Sequence, residues 1–222
     1  MPPAMTTPEM TTPGPLTSWT GWDVRGGASA DPGAAEAFER QAPQEPGEAR
    51  YELIAVAARG FRPPRFLRTL ELPEVPGPAP TEEEEPDGAE PPGLRQTWSL
   101  RYRRIMETDP LVVPPYAIYL LGVNPPKEAT EPELEVFNEF YNTVHLPEVV
   151  ERRKALRAVR YELVEEVRAP YQGAPRFLAA YEVDHESASN RRHQGPSYSP
   201  GPDVWQRHKT PWRLWYRRLV GG

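Results

Sequence analysis

The chain has 222 residues, room for one large domain or two small ones, but its 30 prolines and mean hydropathy of -0.69 assign a sizeable share to tail and linker. The absence of cysteine excludes disulfides, thiolate nucleophiles, zinc–thiolate sites and iron–sulfur clusters, and fits a reducing compartment. The net charge of -6 resides in Glu82, Glu83, Glu84, Glu85, Asp87 and Glu90, so the remaining chain is balanced and gives no electrostatic reason to expect a nucleic acid.

Residues 1–15 are Thr, Pro and Met without periodicity, too poor in apolar groups to offset the entropy of ordering them, and are read as a disordered tail. They lack the basic and apolar regions of a signal peptide, and no apolar run is long enough to span a bilayer; the expectation is a cytoplasmic protein without a membrane partner. Leu16 to Val24 reads as a strand, and Glu36-Ala37-Phe38 belongs to a short helical segment. Further strands are predicted at Arg50-Tyr51-Glu52-Leu53-Ile54, at Pro64-Arg65-Phe66-Leu67 with Leu70-Glu71-Leu72, and at Trp98 to Ile105. Between the last two, residues 76–93 are acidic and proline-rich, which predicts a solvated loop.

The same phrases then recur in the same order: Arg160-Tyr161-Glu162-Leu163-Val164, Pro175-Arg176-Phe177-Leu178 with Tyr181-Glu182-Val183, and Trp212 to Leu219. The chain is therefore read as two diverged copies of one module, residues 16–105 and 115–220. The second copy opens with a strand at Pro115 to Val123, followed by a helix starting near Glu131, where Thr130 and Glu133 have capping-box spacing and Pro132 sits in the first turn. Leu134, Phe137, Phe140, Tyr141 and Val144 share one face of that helix, bordered by Asn138, Asn142 and His145. Pro147 cannot donate to the Thr143 carbonyl and predicts a kink beside His145. The first copy has lost several turns of this helix, and a second helix is faint at Glu186 to Arg192. A long loop is predicted from Asn190 to Asp203.

The segment Phe137 to Val149, with its His145-x-Pro147, and the later Pro175-Arg176-Phe177-Leu178-Ala179-Ala180-Tyr181-Glu182 resemble the dimeric α/β-barrel superfamily, particularly its EthD-like proteins. The resemblance implies an α+β fold in which two tandem ferredoxin-like modules form an intrachain barrel, either as a monomeric pseudo-dimer or as a homodimer. Similar proteins include polyketide decarboxylases, cyclases and cofactor-independent monooxygenases, so it implies a small hydrophobic or aromatic substrate and no cofactor.

His145 beside a helix disruption suits a general acid or base acting on an enolisable or phenolic substrate, with Tyr141 one turn earlier to orient it. The plain alternative is that His145 hydrogen-bonds the freed carbonyl or caps the helix. Asn138, Tyr161, Tyr181 and Trp212 are the candidate substrate-binding residues, although strand alternation sends only part of the aromatic set toward any one cavity. His185, His193 and His208 lack metal-ligand spacing, so no metal site is expected. A non-catalytic ligand-binding or stress-associated barrel is the competing reading, and a scaffold using the tail and acidic loop is a third.

Overall fold

The computed structural model describes residues 14–24, 33–40, 45–57, 62–72, 93–108, 110–168, 173–190 and 198–219. Residues 1–13 of the expected tail, nearly all of the acidic loop, and residues 191–197 of the late loop, including His193, lie outside the described residues.

The strands are β1 (Leu16–Val24), β2 (Glu48–Val56), β3 (Phe66–Leu72), β4 (Leu94–Glu107), β5 (Ala117–Asn124), β6 (Arg157–Arg168), β7 (Phe177–Val183) and β8 (Lys209–Leu219). They close into one barrel in the order β1-β3-β2-β8-β5-β7-β6-β4, every pair antiparallel. The seams between chain halves are β2 with β8 and β4 with β6. Closure satisfies the backbone groups that an open edge would leave unpaired.

This corrects the expected fold class. The sheet is one closed eight-stranded antiparallel barrel carrying few, short helices, not an α+β pair of ferredoxin-like modules. The helix needed after the third strand of each module is reduced to α4 (His185–Ser189) in the C-terminal half. In the N-terminal half that position falls in the acidic, proline-rich stretch, which lies outside the described residues.

Alternation divides the strand residues between two faces. Inside the barrel lie Trp19, Tyr51, Leu67, Trp98, Leu100, Tyr102, Ile118, Leu120, Val159, Tyr161, Leu178, Leu214, Tyr216 and Trp212, all buried. Trp98 and Trp212, one from each half, stack at 4.5 Å with planes 12° apart. Tyr102 donates to the Pro175 carbonyl and Tyr216 to the Pro64 carbonyl, each at 2.9 Å, so each half ties the start of a strand in the other. Outside, Trp22, Phe66 and Leu94 pack beneath α1 (Gly33–Arg40), against its Phe38. A larger outer layer packs beneath α2 (Glu131–Phe140) and α3 (Leu146–Arg153) against β5, β6, β7 and β8.

Gly122 sits at a close approach in the barrel wall. A Cβ there would lie 2.6 Å from Pro175 Cγ and 3.0 Å from Trp212 Cβ, and both neighbours are held by ring or backbone constraints. Gly122→Ala is expected to cost about 1–3 kcal/mol through overpacking, read as a lower urea midpoint with an unchanged slope. An unaffected midpoint would show that the proline moves freely.

Candidate functional site

A group of buried polar side chains, His145, Arg160, Tyr141 and Tyr181, lies in the outer layer of the C-terminal half, where the long helix meets the sheet. The helix begins as its sequence predicts: the Glu133 carboxylate accepts from the Thr130 backbone N–H at 2.8 Å and from its hydroxyl at 3.0 Å. Leu134, Phe137 and Tyr141 face the sheet, with Phe137 stacked on Phe177 at 5.8 Å. The expected kink at Pro147 takes another form. Residues Tyr141–His145 make a π-helical turn in which the Leu146 N–H donates to the Tyr141 carbonyl. The extra residue widens the helix just before the proline ring, and it rotates the buried stripe by one position. His145 is therefore buried while Val144, predicted on the apolar face, is only half-buried.

The His145 ring is 7% exposed and surrounded by Trp205 at 4.6 Å, Tyr198 at 5.1 Å, Tyr141 at 5.2 Å and Phe140 at 6.5 Å. Its Nδ1 is buried and makes no hydrogen bond among the described residues, so that nitrogen neither caps the helix nor bonds a freed carbonyl. Burial lowers its pKa from 6.5 to about 4, opposed by the nearby Glu148 carboxylate, so the ring is neutral at neutral pH. Trp205 is held over it by α5 (Asp203–Gln206), which follows Gly201. Gly201 has φ of 71°, and a Cβ there would lie 2.5 Å from Trp205 and 2.7 Å from Phe140. The His208 ring stacks on the same indole at 4.1 Å.

Tyr141 and Tyr181, both fully enclosed, bring their hydroxyls to 3.4 Å, and burial raises the pKa of each. Behind them stands Arg160, with no exposed surface at all. Its Nη1 donates to Asn142 Oδ1 at 2.5 Å and its Nη2 to Asn138 Oδ1 at 2.9 Å. The guanidinium carbon lies 4.0 Å from the centre of the Tyr141 ring and 5.2 Å from that of Phe177. Asn138 and Asn142 are one turn apart on the helix, which is why both amides reach one guanidinium.

The structure thus brings together His145, Tyr141, Tyr181 and Asn138 of the expected site, and adds Asn142, Arg160, Tyr198 and Trp205. It does not bring Tyr161 and Trp212 to them: both lie in the barrel interior, on the opposite face of the sheet. Tyr161 packs edge-on against Trp19 at 5.4 Å, and Trp212 against Trp98. The expected site residues therefore fall into two separate sets, with His145 in the outer one. Arg160 was read only as a strand residue, because nothing in its own segment shows which face it takes.

Among the described residues no group of three or more His, Asp or Glu side chains is placed to hold a metal ion. A haem does not fit at His145 as packed: the macrocycle would have to displace Trp205, Tyr198 and Tyr141, which enclose the ring. No described helix is long and apolar enough to cross a membrane.

No protein-family model matches the sequence, and no curated protein matches it significantly. Among solved structures, a chlorite dismutase-like protein superposes with a TM-score of 0.50 at 11% identity, covering 95% of this chain and 97% of that one. At 11% identity the likeness concerns the fold alone and does not single out EthD-like proteins.

Proposed function

We propose that the outer layer of the C-terminal half binds a small, flat, aromatic or polyketide-like molecule, and that His145 moves a proton on it. The observation that carries this reading is a buried, neutral imidazole whose Nδ1 has no hydrogen-bond partner among the described residues, beside the paired hydroxyls of Tyr141 and Tyr181. Leaving a buried polar atom unpaired costs about 1–3 kcal/mol, and a ligand donor would recover it. Aromatic rings around the imidazole suit a flat apolar body.

In this reading an acidic C–H or O–H of the ligand delivers its proton to Nδ1, and the electron pair remains on the ligand as an enolate or phenolate. The Tyr141–Tyr181 pair has a hydroxyl proton to donate to the oxygen on which that charge accumulates. Decarboxylation, cyclisation and oxygenation of polyketide-like substrates all pass through such an anion, and the protein is proposed to need no cofactor for it. Its partner is proposed to be a small molecule rather than a nucleic acid.

The test is deuterium exchange, followed by NMR, at the α-carbon of an enolisable aryl ketone such as 1-tetralone. Wild type is expected to accelerate exchange, and His145→Asn to lose about 100-fold or more of that acceleration while keeping its fold. Equal acceleration by both proteins would remove the proposed role. The low basicity of His145 favours a second reading, a non-catalytic binding layer, in which both proteins bind the ketone and neither accelerates exchange.

A further inference from the structure

Arg160 is a cation in the protein interior that makes no ion pair among the described residues; the Glu162 carboxylate acts on it only through space. Its partners are two neutral amide oxygens and two aromatic faces, and its Nε has no hydrogen-bond partner among the described residues. The Glu162 carboxylate, next but one along β6, is turned to solvent and shared with Arg176 at 3.2 Å. Burying an unpaired charge is among the most expensive arrangements a fold can contain.

The other half of the chain shows how the same strand position is otherwise stabilised. Arg50 opens the phrase Arg50-Tyr51-Glu52 as Arg160 opens Arg160-Tyr161-Glu162, and it too is buried beneath a helix, donating to the Phe38 carbonyl at 2.9 Å. There, Glu48 stands two residues earlier with no exposed side-chain surface, and its Oε1 lies 2.5 Å from Arg50 Nε. At the corresponding position before Arg160 the residue is Ala158. One buried arginine has an internal carboxylate on its Nε; the other has a methyl group and an unpaired Nε.

We propose that Arg160 is an anion subsite, and that the ligand of this layer carries a carboxylate which takes the place Glu48 fills in the N-terminal half. This deepens the functional reading and rests on it: the ligand class narrows from a flat aromatic molecule to an aromatic or polyketide-like carboxylic acid. Both Arg160 and His145 pack on the ring of Tyr141, so the two groups flank a single side chain of this layer. In a buried site a guanidinium and a carboxylate attract strongly, and the ligand supplies the missing counter-charge.

The experiment compares 1-naphthoate and benzoate with the uncharged 1-naphthamide and benzamide, using thermal shift and calorimetry on the full chain. Wild type is expected to bind the carboxylates at least about tenfold more tightly than the amides. Asn142→Asp is isosteric and places a carboxylate against Nη1; it is expected to raise the ligand-free Tm by about 2–6 °C and to abolish the preference for carboxylates. Ala158→Glu copies the N-terminal arrangement and is expected to do the same. Equal binding of acids and amides by wild type, no binding of either acid, or an undiminished carboxylate preference in Asn142→Asp would each overturn the anion subsite. His145→Asn separates the two readings: it keeps carboxylate binding if the subsite is right, whatever becomes of proton exchange.

Discussion

Trp212→Ala is expected to destabilise the protein by about 3–5 kcal/mol and to lower Tm by roughly 10 °C. The indole is 1% exposed and stacked on Trp98, so truncation opens a cavity in the middle of the barrel, which the closed wall cannot collapse to fill. The stack joins β4 of one half to β8 of the other, and it sits where Gly122 admits the backbone of β5 to the Trp212 side chain. Trp98→Ala should cost a similar amount, and the double variant less than their sum, because both single changes destroy one shared contact. Chemical unfolding of the four proteins measures this. A cost near 1 kcal/mol for Trp212→Ala would mean that the interior repacks, contrary to the arrangement of rings described above. The milder Trp212→Phe is expected to leave binding of an aromatic ligand unchanged, because Trp212 faces the interior and His145 the outer layer.

That separation was the part of the site least legible in the sequence. The strands could be placed from their aromatic and β-branched phrases, bounded by Pro64, Pro175 and neighbouring glycines, and the long helix from Thr130, Glu133 and Pro132. Alternation then failed as a guide to the faces, because both faces are covered: every residue of Phe177–Val183 is buried, so no polar side marks which way Tyr181 points. The π turn was hidden for a different reason. Pro147 signals a broken hydrogen bond but not whether the helix bends or takes in an extra residue, and the second outcome is what exchanges Val144 for His145 on the buried stripe. The fold class went astray because the phrases locate strands without saying how much helix accompanies them. Arg160 had a usable signal after all, in the comparison of Glu48-x-Arg50 with Ala158-x-Arg160, where an acid is present once and missing once.

Stability is expected to fall by about 3 kcal/mol between pH 6.5 and pH 4 on account of His145 alone. The folded protein holds this imidazole at a pKa of about 4, chiefly by burial, against 6.5 for a solvated histidine. Between those values the unfolded chain binds the proton and the folded one does not, so acid favours unfolding. The full stability is present above pH 6.5, declines as pH falls toward 4, and below that the loss is complete because both states are protonated. His208, whose pKa burial also lowers, adds to the decline with the same sign. His145→Gln cannot be protonated and should flatten most of the slope, leaving the part due to His208; urea midpoints from pH 4 to 7 for the two proteins decide it. Identical slopes would mean that the buried ring is solvated in solution. The same depressed pKa shapes the proposed chemistry. A base that is already neutral at pH 5 predicts exchange activity independent of pH from there through neutrality, with a single ascending limb near pH 4. The weak basicity that this implies is offset only if the anion left on the ligand is itself stabilised, which is the role proposed for the Tyr141–Tyr181 hydroxyls.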